Sequence, residues 1–152
     1  MEKPHTSKEP ISFAQRQTIL KNILQTPQTL LPLNDRSKSQ IITRGQLKAG
    51  ALIETYKQKD MSEIVEDYSN TSVSTLAGVD TLLRYSPTDE DTIHMECIKL
   101  GMLWKTFIKK NPQLEGQIKN SLQPGKISEK YGIGIADATM ASNNFNLLIQ
   151  NI

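Results

Sequence analysis

The residues with the sharpest chemistry are Glu90, His94 and Cys97, spaced four and three positions apart in a stretch of helical periodicity. That spacing puts a carboxylate, an imidazole and a thiol on one side of a helix, where they could turn toward one metal ion. The surroundings argue otherwise. The only other histidine is His5, and the single cysteine lies on the apolar stripe Ile93, Cys97, Leu100, Trp104. A thiol on such a stripe packs as a small hydrophobe, so we expect no metal site and no cofactor. A Cys–His hydrolase would need a glycine-rich or acidic motif as well, and none stands nearby. With no second cysteine there is no internal disulfide and no CxxC site, which fits a reducing compartment.

Cations supply a second kind of chemistry. Lys105, Lys109 and Lys110 cluster at the end of one predicted helix, compatible with RNA, with an acidic protein surface, or with a solvated helix end. Ile127-Ser128-Glu129-Lys130-Tyr131-Gly132-Ile133 has the pattern of the first helix and turn of a helix-turn-helix, with glycine at the corner. Its second helix would begin at Ile135. There it offers Asp137, Ala138 and Thr139, where reading base edges calls for Arg, Lys, Asn or Gln. Two short helices joined by a glycine turn explain the same residues without DNA.

Two further strings carry acidic residues. Gly78-Val79-Asp80-Thr81-Leu82-Leu83-Arg84-Tyr85 and Gly134-Ile135-Ala136-Asp137-Ala138-Thr139-Met140-Ala141 resemble the opening strand and the later acidic motif of PIN-domain ribonucleases, in the family's order. The resemblance covers about sixteen of 152 residues and lacks the family's intervening acidic residue and final strand run. It implies a small metal-dependent nuclease in which Asp80 and Asp137 hold a divalent ion that activates water. It also implies a parallel sheet beneath them.

Other signatures are absent. No GxxxxGK[ST] loop and no strand-borne GxGxxG suggests a nucleotide, and no small-molecule substrate is indicated. Aromatics make up only 5% of the chain, too few for a platform that stacks single-stranded bases. No apolar run reaches eighteen residues and the first residues lack a signal-peptide pattern, so we expect a cytoplasmic protein of its own cell or of a host. A vocabulary leaning to Lys, Ile, Asn and Thr is compatible with an AT-rich microbial or viral genome.

Net charge is only +2, yet it is unevenly spread: residues 1–50 sum to +5, 51–100 to −6 and 101–152 to +3. Segregation of this kind suits docking or self-association, or reflects basic helices packed beside acidic ones.

The elements that must position these groups read as helices throughout. Residues 1–10 are polar and aperiodic, and are expected to be a flexible tail. Ser12 and Gln15 form a capping box ahead of Phe13, Leu20, Ile23 and Leu24. Pro27 and Pro32 interrupt. A helix from Ser39 to about Lys59 carries Gly45 and Ala49, small enough for another helix to approach closely. Asp60 starts a short helix, Ser72 or Ser74 starts another, and Ser86-Pro87 ends it. Thr88 caps a long helix to Lys110, the expected central pillar, with Asp89, Glu90 and Asp91 at its positive end and lysines at its negative end. Pro112–Leu122, a stretch around Ile127, and 135–152 complete the set.

The prediction is a mainly α, single-domain, irregular bundle of six to eight helices over 11–152. With no catalytic constellation, it reads as a non-enzymatic interaction, adaptor or assembly protein whose partner is another protein or a second copy. Nucleic-acid binding through Lys105, Lys109 and Lys110 is the first alternative, and the nuclease is the second.

Overall fold

A computed structural model describes residues 11–25 and 35–151, with side-chain detail from residue 43 onward in the second stretch. The proposed tail 1–10 and the proline-interrupted stretch 26–32 lie outside the described residues. Seven α-helices make up one all-α bundle among those described: α1 Phe13–Gln25, α2 Asp35–Tyr56, α3 Met61–Tyr85, α4 Glu90–Lys110, α5 Leu114–Ser121, α6 Pro124–Tyr131 and α7 Ile135–Gln150.

Local chemistry sets most of the boundaries. At α1 the amide of Gln15 donates to Ser12 Oγ at 3.3 Å and the Ser12 amide donates back to Gln15 Oε1 at 3.2 Å, the reciprocal pair expected of a capping box. Asp60 and Glu63 repeat the device at α3. The break after α6 is Gly132, whose φ of 64° is the left-handed conformation that favours glycine.

Two boundaries differ from expectation. α3 is one helix of 25 residues, and neither Ser72 nor Ser74 starts a new one. Both sit mid-helix. Ser72 is wholly buried beside Val73 and Leu76, so tertiary packing overrides the weak helix preference of serine there. The cap of α4 falls on Asp89, one residue past Thr88, and Asp89 makes no side-chain capping bond.

The relative directions of the helices follow from a few contacts. A Cβ built at Gly45 would meet Ile98 Cγ2 at 3.0 Å, and Tyr56 packs edge-on to Phe107 at 5.4 Å between ring centroids. Those pairs keep the same order along both helices, so α2 runs parallel to α4, and this is the most extensive helix pairing in the bundle. The expectation that Gly45 and Ala49 admit a close neighbour is met, and the neighbour is the pillar α4. Between them in sequence, α3 returns antiparallel: near its start Tyr68 donates its hydroxyl proton to the Leu100 carbonyl at 2.9 Å.

The centre of the core is aromatic. Tyr56, Phe107, Tyr68, Phe145 and Trp104 form a continuous series of edge-to-face contacts, with centroids 5.4 to 6.4 Å apart. Five of the chain's eight aromatic residues thereby join α2, α3, α4 and α7 at one point. Leu20, Leu76, Leu83, Ile93, Leu100, Leu103, Ile118, Ile127 and Leu148, all wholly buried, fill the space around it.

Candidate interaction surface

The most unusual polar feature of the interior is a carboxylate gripped by two arginines. Asp80 lies on α3 with its side chain only 4% exposed. Arg16 of α1, 8% exposed, donates Nε to Oδ1 at 2.7 Å, and Arg84 donates Nε to Oδ2 at 2.8 Å. Arg16 also reaches the Ile11 carbonyl with Nη1 at 2.6 Å, which ties the start of α1 to the same point. Each carboxylate oxygen is thus engaged by a guanidinium, leaving Asp80 poorly placed to ligate a metal.

Asp137 stands in the first turn of α7, exposed, and it lines the same groove as Asp80. The two acidic residues do come to one groove. The scaffold that the nuclease resemblance implies does not. Residues 78–85 are the last turns of α3 rather than a strand, no strand occurs among the described residues, and no third carboxylate, histidine or cysteine joins the pair in a group able to hold a metal. An apolar 3.6-residue stripe (Val73, Leu76, Val79, Leu83) governs this segment, where the short resemblance suggested a strand.

Cys97 is wholly buried, and burial pushes its thiol up to about 12, with Glu96 adding to the shift. Such a thiol is neither a nucleophile nor a ready metal ligand at neutral pH. The second helix of the helix-turn-helix pattern is equally committed: Ala138, Met140, Ala141, Asn144, Phe145 and Leu148 of α7 are buried. The helix–glycine turn–helix geometry is present, but beyond its first turn α7 exposes only Asn146 and Gln150.

Lys105, Lys109 and Lys110 are exposed and make no ion pair among the described residues. Other charges are spent internally. Lys130 of α6 donates to Glu66 of α3 at 2.6 Å, holding the Glu66 carboxyl below its ordinary range, and Lys59 pairs with Asp67 at 2.5 Å. Lys130–Glu66 and Arg16–Asp80 join the acidic middle third to the basic flanking segments, whereas Lys59–Asp67 lies within that third. Part of the charge segregation is therefore a packing device.

What remains outward is a groove of about 410 Å³ between the end of α3 and the start of α7, lined by Val73, Ala77, Met140 and Ala141 on its apolar side and by Arg84 and Tyr85 toward the end of α3. Tyr85 is 63% exposed, and Ile135, between the lining residues Ile133 and Asp137 in sequence, is 59% exposed. Neither was marked by the sequence. Tyr85 ends a helix whose apolar stripe it leaves, and Ile135 begins one whose buried face starts three residues later.

No described helix is long and apolar enough to cross a membrane. Comparison with protein-family models, with curated proteins and with solved structures finds no match for this chain. Fold and surface together define a class, an all-α bundle with a rigid aromatic centre and an exposed apolar pair at one end.

Proposed function

We propose that this chain is a non-enzymatic interaction domain, an adaptor or assembly component that works by presenting the α3–α7 end of its bundle to another protein chain. The observation that carries the reading is Tyr85, 63% exposed on a groove that Ile133, Met140 and Ala141 also line, with the exposed Ile135 at the start of α7. Single exposed apolar residues are ordinary, whereas one that lines a largely apolar concavity marks a contact site. The reading gains support from the residues best suited to chemistry, since Asp80 is held by two guanidinia and Cys97 is sealed in the core.

Size-exclusion chromatography of an extract of the native cells tests it. The wild-type chain should elute well above its 17.1 kDa monomer mass, and Tyr85→Ser/Ile135→Ser should elute at that mass with an unchanged melting temperature. A wild-type chain found only as monomer would contradict the proposal.

A further inference from the structure

Residues 73–91 and 133–141 build the α3–α7 groove and its rim, and between them they hold five carboxylates and one arginine. Arg84 is engaged by Asp80, and so is Arg16, which reaches in from α1. Asp137 lines the groove, and Asp89, Glu90 and Asp91 follow Tyr85 across the turn into α4. All four are exposed and make no ion pair among the described residues. Nearby cations do not offset them. Lys130, three residues before Ile133, is held by Glu66, and the exposed Lys126 of α6 has the exposed Glu129 one turn away. The unengaged charge around this groove is negative.

Its shape narrows the choice of occupant. Val73, Ala77, Thr81 and Tyr85 line the groove at four-residue steps along about 18 Å of α3, and Asp137 and Ala141 repeat the step on α7. Ridges of that spacing are the ones that pack against another helix. The side chains at 77, 81 and 141 are small enough to let a backbone approach, and nothing lies within 4 Å of a Cβ built at Gly78 beside them. An extended segment would find no sheet edge to pair with, because no strand occurs among the described residues.

From this arrangement we infer that the occupant is a basic amphipathic helix of a different protein, about three turns long. It sets apolar side chains against Tyr85, Met140 and Ala141, and lysines or arginines against Asp137 and the turn that leads into α4. The inference rests on the interaction-domain reading above and names the chemistry of its partner. Nucleic acid and anionic lipid are repelled by the same carboxylates. A second copy is a poor occupant. On the outer face of α2, between the exposed Arg44 and Lys48, Leu47 is the one exposed large apolar side chain, too little for a three-turn apolar stripe.

Fluorescence anisotropy on the purified chain reads the outcome, with a labelled ~14-residue peptide that carries leucines at helical spacing and lysines between them. In ~0.05 M salt it should bind at least about tenfold more tightly than the same peptide with glutamate for lysine, and the preference should shrink in ~0.5 M salt. Asp137→Lys and Tyr85→Ser should each weaken binding about tenfold, whereas Glu54→Lys, an equal change of charge on α2, should leave it unchanged. A central proline in the peptide should abolish binding, since it breaks the helix.

Equal affinity for the two charged peptides, undiminished binding of the proline peptide, or a loss with Glu54→Lys equal to that with Asp137→Lys would overturn the inference. So would a wild-type dimer that Tyr85→Ser dissociates, which would seat a second copy in the groove. Binding sharply tightened by removal of residues 1–10 would seat the chain's own first segment there, and would also overturn it. If the lysine peptide fails while the wild-type chain still elutes in a large complex from native extract, only the chemistry of the partner is lost. Failure in both settings removes the interaction-domain reading as well.

Discussion

Arg16 and Asp80, 64 positions apart in sequence, meet Nε to Oδ1 at 2.7 Å with both side chains more than nine-tenths buried. This pair fixes α1 against α3 and sets the position of Asp80 beside the α3–α7 groove. A buried ion pair contributes little over a well-packed apolar substitute, but breaking one strands a charge. Asp80→Asn should therefore lower unfolding free energy by about 3–5 kcal/mol, since Arg16 is left buried without its counter-ion. Replacing both partners, as Arg16→Met/Asp80→Leu, should recover much of that loss. Urea denaturation of the two variants checks it. A loss in the double variant equal to that of Asp80→Asn would show that the strained element is packing, not charge.

Gly45 and Gly50 stand on the same helix and should respond oppositely to alanine. Nothing lies within 4 Å of a Cβ at Gly50, so Gly50→Ala should gain up to about 1 kcal/mol from helix propensity. At Gly45 the added methyl meets Ile98 Cγ2 at 3.0 Å and the Met95 carbonyl at 3.2 Å. Crowding of that kind costs about 1–3 kcal/mol, more than the propensity gain, so Gly45→Ala should destabilise. Thermal unfolding of both variants gives the signs.

Cys97 should resist alkylation. Its thiol is raised to about 12 by burial in the core, so iodoacetamide at pH 8 should modify it only as fast as the protein unfolds. Mass spectrometry against time, with and without denaturant, reads the rate. Rapid modification of the folded chain would show that α4 opens locally.

Acid should weaken the α3–α6 contact. The hydrogen bond from Lys130 holds the Glu66 carboxyl below its usual 4.5, so the folded state binds this proton less readily than the unfolded chain. Its contribution is fully present above the unfolded value and is lost as pH falls through the lowered folded one. Lys130→Met should therefore flatten the fall in melting temperature below about pH 5, where glutamate ordinarily begins to titrate.

The helices were legible because their signals are local. The Ser12–Gln15 and Asp60–Glu63 capping boxes, the Asn111-Pro112 stop and the Gly132 turn each need only a few neighbouring residues. The small face at Gly45 and Ala49 also announced close packing, though not that α4 would fill it. The surface was not legible. Arg84 lies one turn from Asp80 and could have been paired with it from spacing alone, but nothing local points to Arg16. Tyr85 and Ile135 belong to different helices, and only the antiparallel packing of α7 on α3 brings their ends to one groove. The aromatic centre escaped notice for the same reason, since its five rings come from four helices.

The most direct test of the interaction surface is site-specific photo-crosslinking in native extract, with a benzophenone side chain at position 85 and a control at position 48 on the exposed face of α2. The account predicts a discrete crosslinked protein species from position 85, absent from position 48 and abolished by Ile135→Asp. A species of twice the monomer mass would identify a second copy, and another mass would identify a different chain. Absence of any protein crosslink from position 85 would contradict the account.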